Sequence, residues 1–541
     1  MFKLFAAREL KFPLSSLVIA AFCAVYLIAG SIGHDPWKTE DAIGIGIVHQ
    51  MIEHGRWFVP HLAGEPYPED GPFLYWMAAL TAKTFGFVLA PHDGARLASG
   101  ASMVAVLAFL RLTGRELYGS SEGKSAVLVL LGCLGLLAHA HETLAEISML
   151  AGQALAWYGI ALAPRKPHRA GWILGAGLVV AALSKGIAGV IAPALVALVA
   201  PLVSHVWRRR DYAWTLFPAA FALALICGGW LALADRHSPG FFRAWWQVNA
   251  GQFAFSPAAV LGYWGRTLAW ATWPAWPLAL WTLWEGRRRE VAPGTRMLIA
   301  ALCTCFVLLL TLDAPREVLA LPLLPPLALL AGAGVPGLRR GAANALAWFG
   351  VMSAGFLGAL MWLGWFAMMT GFPPAIARNF AKLEPGHVPQ FSWPVLAIAL
   401  TVTVAWAWLI LKSERSVFRS VTYWAAGITL LWTLSMTLIL SWIDYGKSYG
   451  PVAQALKKHI PAGTRCIQSS GLGEPQRAAF DYHAEIVTRR LEVRPAGACT
   501  VLLVQAREGE PADRIGSGWR FLWEGRRPRD RERFRLYRKS S

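Results

Sequence analysis

Residues 171–203 read GWILGAGLVVAALSKGIAGVIAPALVALVAPLV, in which only Lys185 and Gly186 separate two long apolar runs. A helix that crosses the hydrocarbon core of a bilayer needs about 20 predominantly apolar residues, so we expect the shorter runs to be tilted or partly re-entrant. The chain contains thirteen such runs, at 13–33, 97–111, 125–140, 147–163, 171–184, 187–203, 213–234, 258–284, 297–312, 317–335, 342–371, 394–411 and 421–443. The sequence therefore predicts a mainly α-helical, polytopic membrane protein with about 13 transmembrane helices.

The composition supports this fold class. Of the 541 residues, 56% are apolar and 15% are charged, whereas soluble proteins average about 45–50% and about 25%. These values exclude a disordered chain and a single soluble globule. The seven cysteines are too few for a disulfide scaffold and lack CxxC spacing.

The distribution of charge predicts the topology. The formal net charge is +19, and the N-terminus together with every second loop carries 21 basic and seven acidic residues. The positive-inside rule makes these segments cytoplasmic, so an odd number of helices places the C-terminus outside. Lys3, Arg8 and Lys11 precede a run that is too long for a signal peptide, which predicts a retained anchor. The arginine clusters at 208–210 and 287–289 lie in short cytoplasmic loops, so we expect no nucleic-acid partner.

The first outer loop, residues 34–96, is acidic, with eight acidic and four basic residues. Apolar residues at helical spacing predict an amphipathic surface helix over 41–54 and a second surface helix that begins at Phe73, with the turn VPHLAGEPYPEDGP between them. Glu40 and Asp41 open the first helix, where acidic residues also balance the helix dipole. Glu69 and Asp70 are equally typical of a solvated turn.

Residues 39–76, TEDAIGIGIVHQMIEHGRWFVPHLAGEPYPEDGPFLYW, resemble the first outer loop of the lipid-linked-sugar glycosyltransferases related to aminoarabinose transferase and the protein O-mannosyltransferases. That family has an Asp-Glu pair, a turn of the S-G-D-W type, G-x-x-Y-x-E-K-P-P and Y-W. The matching positions here are Glu40-Asp41, 54–57, Gly64, Tyr67, Glu69, Pro72 and Tyr75-Trp76. The acidic pair is in reverse order, and Asp70 replaces the lysine. By position, Glu40 inherits the catalytic role, with Asp41 and Asp35 as alternatives.

Further segments extend the resemblance to about residue 335. LSKGIAGVIAPAL, residues 183–195, matches the family's T-K-G-x-x-x-x-x-x-P, and LDAPREVLALPLLPPLALLAG, residues 312–332, matches its R/K-x-x-Y-x-L-P-x-x-P-P segment. Because the turn lysine and a loop arginine of the family are missing, Arg316 is the leading candidate to bind the donor phosphate, since a guanidinium can clamp phosphate in a bidentate manner. Lys185 is the second candidate, although a lysine at this depth could simply snorkel to the surface.

The resemblance implies a GT-C fold and an inverting enzyme that transfers a sugar from a polyprenyl-phosphate donor at the outer face of a bacterial inner membrane. The acceptor would be lipid A or lipopolysaccharide, another glycolipid or polysaccharide, or a protein hydroxyl. The implied partners are the donor, the acceptor and membrane lipids. No cofactor is required, and a divalent metal held by Glu69 and a loop histidine is the alternative. The implied substrate-cavity residues are Asp35, Tyr67, Glu69, Asp70, Glu146 and Asn249.

A change in composition divides the chain into a transmembrane domain, 1–443, and an outer α/β domain, 444–541. The segment CTVLLVQA predicts a strand, and FRLYRK alternates like an edge strand. Cys466 and Cys499 each adjoin a predicted strand, and either a disulfide or two buried thiols would fit. The basic tail, residues 526–539, would fit either anionic lipid head groups or a solvated strand face.

Two functions from other classes compete with the transferase. A polytopic lipid or sugar transporter, or a flippase, would also have many helices and few charges. Such proteins commonly show internal repeats and broken helices at the midplane, which the sequence does not display. A non-catalytic homologue is the second alternative, because the family's turn lysine and loop arginine are both missing.

Overall fold

The computed structural model describes residues 14–137, 139–253, 257–287, 291–312, 314–493, 499–510 and 518–540. Lys3, Arg8, Lys11 and residues 288–290, used above for topology, lie outside the described residues. The helices are α1 (Ser16–Ile28), α2 (Glu40–His54), α3 (Phe73–Phe85), α4 (Pro91–Leu117), α5 (Ser120–Leu131), α6 (Leu134–Leu137), α7 (Ala145–Leu162), α8 (Pro167–Val203), α9 (Ala213–His237), α10 (Phe241–Gly251), α11 (Pro257–Ala271), α12 (Ala275–Gly286), α13 (Pro293–Thr311), α14 (Leu324–Gly334), α15 (Arg340–Thr370), α16 (Pro374–Leu383), α17 (Trp393–Lys412), α18 (Arg419–Leu438), α19 (Leu440–Lys447), α20 (Gly450–His459) and α21 (Glu474–Ala484). Short 3₁₀ helices span His139–His141, Arg210–Tyr212, Glu317–Leu323 and Val335–Gly337.

The mainly helical membrane fold is confirmed, but the number of thirteen spans is not. Among the described residues, eight helices are long and apolar enough to cross a membrane, or nine if the bent pair α5 and α6 is one span. Several predicted runs are broken: 125–140 bends between α5 and α6, and 258–284 divides into α11 and α12 just before Ala275. Thirteen remains a prediction based on apolar runs.

Helix α8 combines the two apolar runs on either side of Lys185 and Gly186. Its backbone leaves the helical conformation at Lys185 and at Gly186, where φ is +53°. A Cβ on Gly189 would lie 2.3 Å from the carbonyl oxygen of Ala181, whereas residues eight apart in a straight helix are about 12 Å apart. The two halves of α8 therefore fold back on each other, and Lys185 lies at the reversal between them.

Helix α2 was predicted to lie on the membrane surface with one apolar face buried and the opposite face free. The prediction of a free face is wrong. Eight consecutive residues, 41–48, are buried, so the helix is covered on all sides. The close packing depends on two glycines: a Cβ on Gly44 would meet the carbonyl oxygen of Thr143 at 1.8 Å, and a Cβ on Gly46 would meet Ala478 at 2.7 Å. Ala478 belongs to α21, so the C-terminal domain covers the side of α2 that we expected to be free. The second loop helix, α3, is confirmed.

The C-terminal domain contains strands β3 (Ile467–Ser470), β4 (Thr488–Arg490), β5 (Val501–Arg507), β6 (Trp519–Gly525) and β7 (Glu532–Lys539), after a small hairpin of β1 (His61–Leu62) and β2 (Glu65–Pro66) in the first loop. The sheet order is β4-β3-β5-β7-β6, with β3 parallel to β4 and β5. The prediction that FRLYRK is an edge strand is wrong, because β7 pairs with β5 on one side and β6 on the other. Of the two alternatives for Cys466 and Cys499, a disulfide or two buried thiols, the structure contains the disulfide, with 5.3 Å between the Cα atoms.

Polar contacts join this domain to the loop of residues 34–96. The Gln50 amide donates to Asp481 at 2.5 Å, and Glu65 pairs with Arg490 at 2.6 Å. Because these contacts join α2 and the β1–β2 hairpin to the domain, the domain holds the loop in place over the ends of the membrane helices.

Candidate active site

Glu40 and Arg316 come from distant parts of the sequence and form an ion pair. Glu40 is the first residue of α2, and Arg316 directly precedes the 3₁₀ helix Glu317–Leu323. Arg316 Nη1 lies 3.3 Å from Glu40 Oε1, and 45% of the Arg316 side chain remains exposed. Burial and the negative charge of Glu146 raise the pKa of Glu40 to about 7, although Arg316 and Lys185 act in the opposite direction. A carboxyl group with such a pKa is suited to accept a proton near neutral pH.

Lys185 lies between two carboxylates. Its Nζ is 2.5 Å from Asp70 Oδ1 and 3.2 Å from Glu146 Oε1. The Tyr75 hydroxyl donates to the other Asp70 oxygen at 2.6 Å. Lys185 is thus compensated by protein charges. Among the described residues, Arg316 has one ion-pair partner, Glu40, and 45% of its side chain is exposed. Arg316 is the cation that can most easily contact an incoming anion.

Asp41, the neighbour of Glu40, points into the protein. It is 1% exposed, its Oδ2 lies 2.7 Å from Nη2 of Arg96, and its Oδ1 accepts the Thr143 backbone N–H at 2.8 Å. Burial alone would raise the pKa of Asp41, but the ion pair with Arg96 and this hydrogen bond outweigh it and lower the pKa. The arrangement makes Asp41 an anchor for the start of α2, where Glu40 is presented.

Sequence reasoning missed Arg96, which is fully buried and also pairs with Asp93 at 3.0 Å. The only available signal was the spacing of three residues between Asp93 and Arg96 on a helix. That spacing is also common for exposed pairs, so it does not identify a buried anchor.

Three of the remaining predicted residues form hydrogen bonds within the protein. The Tyr67 hydroxyl donates to Glu69 at 3.1 Å. Asp35 accepts a hydrogen bond from the Ser448 hydroxyl, at the start of the C-terminal domain. Asn249 accepts the Ile187 backbone N–H at 3.3 Å and thereby holds the reversal of α8.

A cavity of about 460 Å³ connects these elements. Its polar end contains Glu69, Glu146, Lys185 and Arg316 from the predicted set, and Glu474 from α21. Glu40 and Asp70 reach this end through their ion pairs with Arg316 and Lys185, whereas Asp35, Asp41, Tyr67 and Asn249 are not among its lining residues. The apolar wall is built mainly from α8, α13 and the 3₁₀ helix that follows Arg316, with Met149, Ala188, Ala192, Val248, Phe253, Cys305, Leu308, Leu309, Leu312, Leu319 and Leu323.

Glu474 could not have been found from the sequence, because it reaches the cavity only through the docking of the C-terminal domain. Within the part of the chain that the structure describes, no group of three or more His, Cys, Asp or Glu side chains is arranged to hold a metal ion.

Comparisons with known proteins give a consistent picture. Residues 68–230 match a family described as dolichyl-phosphate-mannose-protein mannosyltransferase. The chain is 26% identical over 468 residues to the undecaprenyl phosphate-α-4-amino-4-deoxy-L-arabinose arabinosyl transferase 1 of Pseudomonas fluorescens, covering 80% of this chain and 77% of the relative. It is 24% identical over 419 residues to the corresponding transferase of Serratia proteamaculans, covering 74% of each chain.

The fold is also found among solved structures. The crystal structure of ArnT from Cupriavidus metallidurans bound to undecaprenyl phosphate superimposes with a TM-score of 0.70 at 17% identity, covering 97% of this chain and 98% of that chain. The apo state of the same protein superimposes with a TM-score of 0.68. The resemblance inferred from the first outer loop is therefore confirmed over most of the chain, and the transporter and flippase alternatives are not favoured.

Proposed function

We propose that this chain is a polyprenyl-phosphate-dependent membrane glycosyltransferase, which transfers a sugar to an acceptor in the cell envelope. The observation that carries the proposal is the cavity in which the Arg316 guanidinium and the Lys185 ammonium lie at one end of an apolar wall. A polyprenyl phosphate has the matching chemistry, with a charged phosphate on a long hydrocarbon chain. ArnT, which has the same fold, was crystallised with undecaprenyl phosphate.

The donor phosphate would contact Arg316. This side chain is almost half exposed, and a guanidinium can offer two parallel N–H donors to phosphate oxygens. The apolar residues of α8 and α13 would cover the first isoprene units. Lys185 would add positive charge behind the phosphate, and Asp70 and Glu146 hold it in that position.

Glu40 would act as the base in a single displacement. An acceptor oxygen attacks the anomeric carbon of the donor sugar while the bond between that carbon and the phosphate oxygen breaks. The acceptor proton passes to the Glu40 carboxylate, and polyprenyl phosphate leaves with the bonding electrons. Because the nucleophile enters opposite the leaving group, the anomeric configuration is inverted. Arg316 stabilises the charge that develops on the phosphate, the type of electrostatic contribution that is often the largest in catalysis.

For the sugar and the acceptor we propose a chemical class only. The named relatives transfer 4-amino-4-deoxy-L-arabinose, and two carboxylates that line the polar end, Glu69 and Glu474, would suit a sugar carrying an amino group. We propose an envelope glycolipid such as lipid A as the acceptor. The reaction as written uses only side chains of the protein.

The location follows from the same proposal. The chain would be a multi-pass protein of a bacterial inner membrane with a cytoplasmic N-terminus and a periplasmic C-terminal domain. The cavity would then open at the outer face, where a lipid-linked donor presents its sugar.

The proposal can be tested by incubating the purified protein in lipid nanodiscs with labelled polyprenyl-phosphate sugar and envelope glycolipid, and measuring the release of polyprenyl phosphate. Glu40→Gln and Arg316→Ala should each reduce the rate by about 100-fold or more. Glu53→Gln, an exposed site on the same helix, and Arg378→Ala, an exposed arginine on α16, serve as matched controls. Absence of release by the unmodified protein would contradict the proposed activity and favour a non-catalytic homologue. Full activity of both site variants would instead contradict the roles assigned to Glu40 and Arg316.

A further inference from the structure

A second cavity, of about 770 Å³, lies on the same side of the molecule as the C-terminal domain. It is bounded by the turn between β6 and β7, by the end of α16, by α19, and by Lys38 and Thr39 just before α2. None of its lining residues belongs to the lining of the first cavity. Whatever it binds is therefore held by a separate set of side chains.

The lining of this second cavity is basic, and part of its charge is already neutralised. Lys38 forms an ion pair with Glu532, and Arg527 forms one with Asp530. The lining carboxylate Glu508 is occupied as well, because it pairs with Arg533, outside the cavity, at 2.9 Å.

Three cations of the cavity lining do not form an ion pair with any residue that the structure describes. Within the described residues, Lys447, Arg529 and Arg531 have no carboxylate within ion-pair distance. Lys447 instead lies over the Trp37 ring, with Nζ 4.7 Å from the centroid. The cavity lining also contains the carboxylate of Glu384. Among the described residues, no cation lies within ion-pair distance of it. Three positive charges against one negative charge favour an anion of one or two charges.

The surroundings place the cavity at the level of lipid head groups. Helix α16 lies between the ends of the apolar helices α15 and α17, and exposed aromatic residues flank it on both sides: Phe372, Phe391 and Trp393, the last 73% exposed. Aromatic residues concentrate where hydrocarbon meets water. Phe380 of α16 packs on Trp442, which lines the cavity, with 5.2 Å between the ring centroids. This contact joins the cavity lining to α16, the helix that the exposed aromatic residues flank.

We propose that the second cavity binds the phosphate-bearing head group of a membrane lipid that carries a net negative charge. Lys447, Arg529 and Arg531 supply the positive charge, and the acyl chains extend past α16 into the bilayer. A membrane lipid is favoured over free phosphate because the cavity adjoins α16, which exposed aromatic residues flank. The site does not depend on glycosyl transfer and would exist even if the chain transferred no sugar.

Native mass spectrometry of the full-length protein in neutral detergent tests this site. The protein is mixed with equal amounts of phosphatidylglycerol and phosphatidylcholine, which differ in net charge. The unmodified protein should retain phosphatidylglycerol preferentially, and Arg529→Gln with Arg531→Gln should reduce that preference about tenfold. The matched control is Arg520→Gln with Arg538→Gln, which removes the same charge from exposed positions on β6 and β7 outside the cavity. This control should retain the preference of the unmodified protein.

Glu384→Gln provides a test of opposite sign, because removal of this negative charge from the cavity lining should increase retention of phosphatidylglycerol. A folding defect would not produce such a gain. The proposal is overturned if Arg529→Gln with Arg531→Gln changes nothing, if the control pair lowers the preference equally, or if Glu384→Gln does not increase retention. Displacement of phosphatidylglycerol by millimolar inorganic phosphate would overturn the lipid assignment and identify a phosphate site instead.

Discussion

Arg316 Nη1 lies 3.3 Å from Glu40 Oε1, although 276 residues separate the two in sequence. This ion pair joins the two functions that the proposed reaction needs, a base and a phosphate ligand. With a donor bound, the guanidinium can turn toward the phosphate, and the Glu40 carboxylate is then released to face the acceptor. The pair is therefore the point at which donor binding and base activation would be coupled.

The pH dependence of the rate should reflect Glu40. Its pKa is raised to about 7 by burial and by Glu146, and only the ionised form accepts a proton. About one tenth of Glu40 is then ionised at pH 6 and about nine tenths at pH 8, so the rate of polyprenyl phosphate release should rise about tenfold over this interval and then level off. Initial rates between pH 5.5 and 8.5 measure this effect, and a flat profile would exclude Glu40 as the base.

Replacing Arg316 should move the same pH profile in a known direction. The positive charge of Arg316 lowers the pKa of Glu40, so Arg316→Gln should shift the midpoint to higher pH as well as reduce the rate. Arg316→Lys should keep the midpoint near that of the unmodified protein but recover only part of the activity, because an ammonium cannot bind phosphate in a bidentate manner. Equal midpoints of the pH profiles of Arg316→Gln and Arg316→Lys would show that the ion pair between Glu40 and Arg316 does not form in solution.

Removing Arg96 should destabilise the fold. Arg96→Met leaves Asp41 and Asp93 buried without their cation, and loss of one partner of a buried ion pair costs about 3–5 kcal/mol. Thermal unfolding in detergent measures the loss. Arg96→Met combined with Asp41→Leu and Asp93→Leu is the control, because an apolar replacement of the whole cluster should restore much of the stability. Unchanged unfolding of Arg96→Met would contradict the anchoring role assigned to the Arg96 cluster.

The parts of the site that were predictable from sequence are those that lie in continuous motifs. Glu40, Lys185 and Arg316 each stand in a local pattern that resembles a known segment, and the structure brings all three to one place. Lys185 was also predicted to lie between two apolar runs, and the reversal of α8 at Gly186 confirms this. Local patterns succeed here because a charged residue between apolar runs has few positions that avoid hydrocarbon.

The parts that were missed depend on contacts between distant segments. Glu474 enters the cavity because the C-terminal domain packs on α2, and nothing near residue 474 indicates that docking. The placement of β7 failed for a similar reason: strand β6 was not recognised, so its neighbour appeared to be an edge. Side-chain alternation reports which face of a strand is buried, but not how many strands lie beside it.

The disulfide should connect the stability of the C-terminal domain to activity. Cys466 and Cys499 close a loop of 33 residues in sequence separation, and in the chain-entropy account such a link contributes about 3–4 kcal/mol. Cys466→Ser with Cys499→Ser should therefore lower the thermal midpoint of the domain, as followed by limited proteolysis. Cys303→Ser, at an exposed free cysteine, is the matched control. A reducing agent should destabilise the unmodified protein and leave the double variant unaffected. Because Glu474 lies on this domain, sugar transfer should be lost at the temperature at which the domain unfolds. Activity that persists in the double variant above that temperature would mean that the cavity functions without the C-terminal domain.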